Sequence, residues 1–474
     1  MTVGLEQKKN AQDLKGVIRK IDSIIEVVLL MTIYYFMWKY HYRYSGGPVL
    51  YGNGKYMLLC VYALITSVLF FLLDSFKFGH RKLTEVIVSQ WIAVLFTNTI
   101  TYFQLCLLAN VMTNVVPMLV LTLIDSVVVV ICTYIYTMLY HLIYVPKNMI
   151  MIYGSKGAVD LKFKMDTRPD KYCVTKVISY TVGLHKIMKE IQGHDAVIIN
   201  DVPAQIRNDI TKYCYANEIR TYLVPKISDI ISRGAEEISL FDTPLLLVKG
   251  RGLNLVQRIL KRTMDLMLCV IAMVPGIILM GIVAICIKCE DGGPVFYKQE
   301  RVTRGGKKFH ILKFRSMVVD AEKDGKSVPA TDNDSRVTKV GKVIRAMRVD
   351  EFPQVLNILK GDMSWVGPRP ERTEHVEKYT KEIPEFAFRA KVKGGLTGYA
   401  QIYGKYNTSA YDKLRLDLIY IENYSLLLDI KLILMTVQVM FEKESTEGFR
   451  HKKEIERMRE RLFNDSNGDR TDVE

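Results

Sequence analysis

The chain has 474 residues, 49% of them hydrophobic, and carries a formal net charge of +15. With a positive mean hydropathy of +0.10, this is too apolar for an ordinary soluble protein and predicts membrane segments alongside two or three domains. The basic balance raises nucleic acid as a partner, but no nucleic-acid motif and no interleaved stacking aromatics accompany it, so none is expected.

Four apolar segments open the chain: residues 23–38, 56–73, and a stretch that is uncharged from 86 to 124 and continues through Asp125 to about residue 142. The last is long enough for two spans. The first lacks a small-residue cleavage site and reads as a retained span. Asp125 lies inside an apolar run, where an acid is a functional hypothesis by default. Lys8, Lys9, Lys15, Arg19 and Lys20 precede the first span, and Lys77, Arg81 and Lys82 follow the second. Lys39, Arg43 and Lys55 weaken the pattern, yet the charge bias still puts both ends of the four-helix unit in the cytoplasm. The protein is accordingly expected to be a multi-pass membrane protein with its globular part facing the cytoplasm.

From residue 147 the pattern turns to mixed α/β. Residues 148–153, 196–200 and 220–224 read as strands with helical segments between them, the outline of a small Rossmann-like domain. Its glycine turn holds only Gly154 and Gly157, which supports a structural or regulatory module more than a cofactor site.

A basic collar follows, with 13 Lys or Arg against 4 Asp or Glu over residues 249–315; anionic membrane lipids are its simplest partner. Inside it, residues 266–287 are free of charge. A fifth crossing would export the C-terminal domain although both flanks are strongly basic, and Pro275-Gly276 interrupts the run near its middle. A re-entrant helix over 264–288 with its membrane break at Pro275 reconciles these features. Cys286 and Cys289 have metal or redox spacing but no second ligand pair nearby.

Next comes Arg345 to Glu371, where the adjacent acids Asp350 and Glu351 stand between Arg345 and Arg369. A carboxylate can attack phosphorus, a neighbouring one can hold Mg²⁺ against a leaving phosphate, and arginines can clamp phosphate oxygens bidentately. Pro353 places the pair at a helix start. Asp332-Asn333-Asp334 imitates the metal motif of nucleotide-sugar glycosyltransferases but sits in a loop-like polar stretch. After Glu442 the chain is charge-dense, a solvated helix fraying into a tail.

Seven blocks occur here in one order: Gln299-Glu300-Arg301, Leu312 to Met317, Asp350 to Gln354, Lys360 to Ser364, Gly367-Pro368-Arg369-Pro370, Gly395 to Gln401 and Leu416 to Ser425. In these the chain resembles, over residues 258–440, the bacterial polyprenyl-phosphate sugar-1-phosphate transferases, or monotopic phosphoglycosyl transferases. The resemblance implies transfer of a sugar-1-phosphate from a UDP-sugar to a polyprenyl phosphate, undecaprenyl phosphate being the expected one, with release of UMP at the start of a surface polysaccharide. It implies Asp350 as nucleophile forming a phosphosugar-enzyme intermediate and Glu351 as a Mg²⁺ ligand. Arg345, Arg369, Lys313 and Arg315 would bind phosphate, with Asp417 and Gln354 as further site members. Relatives carry a re-entrant anchor with a Ser-Pro break, where this chain has Val274; they read Lys-Pro-Gly where it has Lys393-Gly394-Gly395, a looser turn.

The expected fold is therefore a membrane protein, α plus α/β. Four transmembrane helices fill 1–146, the Rossmann-like cytoplasmic domain 147–248, a mainly α catalytic domain with the re-entrant helix 249–445, and the tail 446–474. Homo-oligomer formation stays open. Two other readings compete: a membrane-anchored glycosyltransferase using Asp332 and Asp334, and a non-enzymatic scaffold for polysaccharide assembly.

Overall fold

The computed structural model describes the chain except for Met1, residues 44–52, 80, 145, 156, 320, 322–333, 405–407 and 442–474, and except for the side chains of 2–16, 143 and 441. Two compact units emerge, one within residues 1–224 and one beginning at Pro225.

The first unit starts with α1 (Thr2–Met37), α2 (Gly54–Leu72), α3 (Leu83–Ala109) and α4 (Val116–Ile143). All four are long and apolar enough to cross a membrane. Their outward faces carry exposed Leu, Ile, Val and Phe, while polar groups turn inward. Asp125 is one of these. Its Oδ2 accepts from Asn98 Nδ2 at 3.0 Å and from the Tyr62 hydroxyl at 3.3 Å, which ties α2, α3 and α4 together. Glu26, which the sequence reading passed over, likewise accepts from Gln90 Nε2 at 3.0 Å. Buried polar groups need such partners, and one oxygen of each acid thus serves as a bundle cross-link, while Asp125 Oδ1 and Glu26 Oε1 are buried with no partner among the described residues.

A parallel sheet follows, built from β1 (Lys147–Tyr153), β2 (Tyr172–Ser179), β3 (Ala196–Asn200) and β4 (Arg220–Leu223) in the order β2-β1-β3-β4. The central strands β1 and β3 are apolar runs because helices cover both their faces. Ile187 and Ile191 of α6 (Leu184–Ile191) and Ile210 of α7 (Ala204–Ala216) pack on one side. Ala158 and Met165 of α5 (Ala158–Asp166) pack on the other. The expected helix between the first two apolar runs omitted β2, an edge strand whose half-exposed side chains give neither a continuous apolar run nor a clean alternation. Gly154 is required by a close approach: its N–H donates to Asn200 O at 3.0 Å, and a Cβ there would meet the Asp201 carbonyl.

The second unit opens with α8 (Ile227–Arg233). Ile227 and Ile230 enter the same core as Leu414, Leu418 and Ile421, so the division falls at residue 224 rather than at the expected 248. An exposed hairpin, β5 (Glu236–Leu240) with β6 (Thr243–Leu247), leads to α9 (Leu255–Asp291). Asn254 and Gln257 cap α9 reciprocally at 2.8 and 2.9 Å, and Gly292, at φ +70°, ends it.

Helix α9 is, among the described residues, the fifth helix that could cross a membrane by length and composition. It continues through Pro275 without interruption, where the sequence analysis places a break. One face, through Lys261, Asp265, Cys269, Gly276, Val283 and Ile287, is buried; the other exposes Met267, Ile271, Val274, Ile278, Ile282 and Ile285. Residues on both sides of Pro275 pack against one body. Cys269 and Met273 meet Val355 and Ile358, and Val283 and Ile287 meet Phe314 and Ile344.

That body comprises the antiparallel pair β7 (Phe296–Val302) and β8 (Lys308–Phe314), then α10 (Lys339–Ala346), α11 (Gln354–Lys360), β9 (Ser364–Val366) and α12 (Thr373–Glu382). The short strand β10 (Gly395–Thr397) pairs in parallel with β9 and is followed by α13 (Tyr399–Tyr403), α14 (Ala410–Glu422) and α15 (Leu426–Phe441). A buried pair locks α9 to α15: Lys261 Nζ lies 2.6 Å from Asp429 Oδ2, and the Tyr420 hydroxyl donates to Asp429 Oδ1 at 2.7 Å.

Candidate active site

The acid pair lies in a 3-10 turn, Val349–Glu351, one step before α11, with Pro353 as the N-cap of that helix. The turn is entered through Arg348, which adopts a left-handed φ of +53°. Phe352 anchors the exit: its ring lies against α9 at Gly276, where any Cβ would collide with it. The glycine after Pro275 thus lets the residue beside the acid pair seat on the helix.

The two acids occupy different states. Glu351 Oε1 receives Lys313 Nζ at 2.6 Å and Arg369 Nη2 at 3.0 Å. Burial alone would raise the Glu351 carboxyl, but the charges of Arg369 and Lys313 and their hydrogen bonds hold it well below the usual carboxylate range. Asp350 takes no hydrogen bond and no ion pair among the described residues. Burial pushes its carboxyl up, against the opposing charges of Lys313, Arg345 and Arg348. The geometry therefore leaves Asp350 available and fixes Glu351.

Two strands position the cations. Lys313 is on β8, which Asn357 of α11 clamps by accepting from Leu312 N at 2.9 Å and donating to His310 O at 2.8 Å. Arg369 follows β9 in the Gly367-Pro368-Arg369-Pro370 loop. Gly367 N–H donates to Thr397 O and Gly395 N–H to Pro368 O, contacts so close that a Cβ on Gly367 or Gly395 would overlap backbone. The loop is held again by Arg301, donating to Pro370 O at 3.1 Å, and by Arg389, donating to Arg369 O at 3.0 Å.

The remaining sequence candidates separate. Asp417 is buried on α14, pairs with Arg389 Nε at 2.6 Å, and so acts on Arg369 through Arg389. Arg315 is buried and ion-paired with Asp291 at the end of α9; its other donors are sealed from solvent, so an anion reaches them only if that contact opens. Gln354, 3% exposed, is buried at the first turn of α11. Arg345 is half-buried and acts on Asp350 through charge. Asp332 lies outside the described residues, while both oxygens of Asp334 are engaged by Arg336 at 2.6 to 3.2 Å.

Sequence reasoning missed Asn357, Arg389, and the Glu371–Lys413 pair at 2.9 Å. It also missed Arg262, whose two terminal nitrogens cap the last carbonyls of α11, Ile358 O at 2.6 Å and Leu359 O at 2.7 Å. Asn357 carried a signal, a polar residue beside Val355 and Ile358 on the buried side of a short helix. The others pair across sequence separations that no local pattern reveals.

No group of three or more His, Cys, Asp or Glu able to hold a metal occurs among the described residues. The oxygen donors at the site are the Asp350 carboxylate and the second oxygen of Glu351. That set fits Mg²⁺ arriving with substrate phosphates, since this ion is commonly held by one or two carboxylates plus the phosphates themselves.

Comparison with known proteins bears on the same region. The bacterial sugar transferase family matches residues 256–443. A UDP-N-acetylgalactosamine-undecaprenyl-phosphate N-acetylgalactosaminephosphotransferase of Aeromonas hydrophila is 43% identical over 58% of this chain and 67% of its own length. A UDP-glucose:undecaprenyl-phosphate glucose-1-phosphate transferase of Escherichia coli (strain K12) is 40% identical over 54% of each chain, so the match spans about half the length of that relative. The uncharacterized sugar transferase EpsL of Bacillus subtilis (strain 168) is 38% identical over 41% of this chain and 93% of its own. With the matched residues enclosing the acid pair, both cations and the clamped loop, the chain belongs to the bacterial sugar transferase family and is an enzyme of the phosphoglycosyl transferase class.

Proposed function

We propose that the protein transfers a sugar-1-phosphate from a UDP-sugar to undecaprenyl phosphate, releasing UMP, as the initiating step of a surface polysaccharide. The observation that carries this reading is the unequal pair, with Glu351 neutralised by Lys313 and Arg369 and Asp350 left without a partner.

Asp350 attacks the sugar-bearing phosphorus; an aspartyl O–P bond forms, the P–O bond to the uridylyl phosphate breaks, and UMP departs. A phosphate oxygen of the lipid then attacks the same phosphorus and displaces the carboxylate, giving the diphosphate-linked sugar lipid. Splitting one displacement into two lets a single phosphate site serve both reactants in turn. Arg369, with 40% of its side chain exposed, and Arg345 meet the phosphate oxygens, and Lys313 balances the charge that builds at the leaving oxygen. Mg²⁺ from the nucleotide would screen the diphosphate, with Asp350 and Glu351 as its protein neighbours.

An interior proline bends a helix without ending it, so α9 can stay helical through Pro275 and still turn back there. The packing of both its arms on one body supports such a bent helix, entering and leaving on one face, over a straight crossing that would carry one arm away from the domain. Its exposed apolar face then lies in lipid and brings Asp350 to headgroup level, where a lipid phosphate and a cytoplasmic nucleotide sugar can meet. The pairing of Asp334 with Arg336 disfavours the alternative metal-motif glycosyltransferase. Membranes containing the protein, incubated with undecaprenyl phosphate and a panel of UDP-sugars, should release UMP with one of them; release of UDP, or no turnover with any, overturns the proposal.

A further inference from the structure

A cavity of about 280 Å³ lies in the first unit. It sits where two spans end. The residues just before α3, Arg81 and Lys82, form one side, and the last turns of α4, through Tyr136, Tyr140 and His141, form another. The loop before β2 closes it with Arg168.

The wall is built rather than incidental. Gly79, at φ +70°, is packed so closely by the Tyr140 ring that a Cβ there would overlap it. Phe78, Tyr136 and Tyr140 share one buried cluster. Arg168 is oriented by Asp170, with Nε to Oδ1 at 2.9 Å and Nη2 to Oδ2 at 2.8 Å, and its Nη2 also reaches Arg81 O at 3.4 Å. The lining thus carries Arg81, Lys82 and Arg168 against Asp170, and Glu85, in the first turn of α3, also acts on Arg168, so three cations stand against two carboxylates.

We infer that this cavity binds the phosphate of an anionic lipid headgroup. Charge, size and position agree. Guanidinium and ammonium groups recognise phosphate oxygens, the volume is at the small end of ligand sites and suits a headgroup better than a nucleotide sugar, and aromatic rings beside cations at span ends are the composition of the headgroup layer. The site is separate in chain position from the transferase residues, so its occupancy does not depend on catalysis.

Native mass spectrometry of the full-length protein, exchanged into detergent with added phosphatidylglycerol or phosphatidylcholine, tests this. Retained phosphatidylglycerol should exceed phosphatidylcholine and should fall about tenfold or more in the Arg81→Gln/Lys82→Gln protein, two lost headgroup charges being worth that much. Thr137→Leu, which adds bulk to the lining and keeps every charge, should reduce retention as well. Lys186→Gln/Lys189→Gln, on an exposed face elsewhere, and Asp350→Asn should leave it unchanged. Equal retention in folded wild-type and Arg81/Lys82 proteins overturns the inference, as does loss in the Lys186/Lys189 control. Displacement of the lipid by millimolar inorganic phosphate reassigns the cavity to a free anion and equally overturns the lipid assignment.

Discussion

Arg389 donates a 3.0 Å hydrogen bond from Nη2 to the main-chain carbonyl of Arg369. Its Nε is held at 2.6 Å by Asp417, which is almost wholly buried. Asp417→Asn would strand a buried guanidinium, and removing one partner of such a pair costs about 3–5 kcal/mol. The expected result is a lower melting temperature together with a raised KM for the UDP-sugar, because the Arg369 loop loses a tether. A destabilised protein whose folded fraction keeps an unchanged KM would show that Asp417 supports the core and not the loop.

The two acids should fail differently. Asp350→Asn removes the nucleophile and should abolish both the sugar-lipid product and any phosphosugar adduct detectable by mass spectrometry of the intact protein. Glu351→Gln keeps a nucleophile but leaves Lys313 and Arg369 without their shared counter-charge, so slow turnover with a detectable adduct is expected. An adduct on a peptide that lacks Asp350 would falsify the assignment.

Stability should move in opposite directions at these neighbouring positions. Asp350 has a folded-state pKa raised by burial, so its contribution is greatest below its unfolded value and is lost as pH rises through the folded one. At pH 7 the ionised group is therefore a cost, and Asp350→Asn should raise the melting temperature. Glu351 is depressed by Arg369 and Lys313 in spite of burial; its contribution is present above its unfolded value and disappears as pH falls. Glu351→Gln should accordingly lower the melting temperature at pH 7, and the loss should shrink on acidification. Turnover, which needs ionised Asp350, should fall on the acid side.

Gly276 offers a test of the link between α9 and the site. A side chain there meets the Phe352 ring, whereas Gly281 on the same helix has nothing within 4 Å of an added Cβ. Overpacking of this kind costs about 1–3 kcal/mol. Gly276→Val should lower both stability and activity, Gly281→Val should change neither, and Phe352→Leu should partly rescue Gly276→Val.

What the sequence made legible follows from how local each signal is. β3 is readable because four of its five residues, 196–199, form a continuous apolar run buried on both faces; β2 is not, since an edge strand mixes Thr175 and Lys176 with apolar residues. Asp350, Glu351, Lys313 and Arg369 could be named from ordered motifs, and the structure brings the last three within hydrogen-bond range. Their supports could not. Arg389 and Asp417 stand 28 residues apart, and Lys261 and Asp429 stand 168 apart; only folding makes them neighbours. Arg315 shows the converse, since its motif position suggests phosphate while its contact with Asp291 fastens the end of α9.

The boundary at residue 224 yields a prediction about modularity. A truncated protein starting at Pro225 retains α8, whose Ile227 and Ile230 pack with Leu414, Leu418 and Ile421. Starting near Leu253 instead removes both isoleucines and bares their partners, and burial of each such side chain is worth about 1.5–3 kcal/mol. All the matched family residues and α9 lie in both proteins. The longer one should insert in membranes and release UMP at a measurable rate; the shorter one should do so with a lower melting temperature and yield. Should the protein starting at Pro225 be folded, membrane-bound and wholly inactive, the first 224 residues must supply part of the site, and alanine substitution of Asp125 in the full chain would be the first experiment to follow.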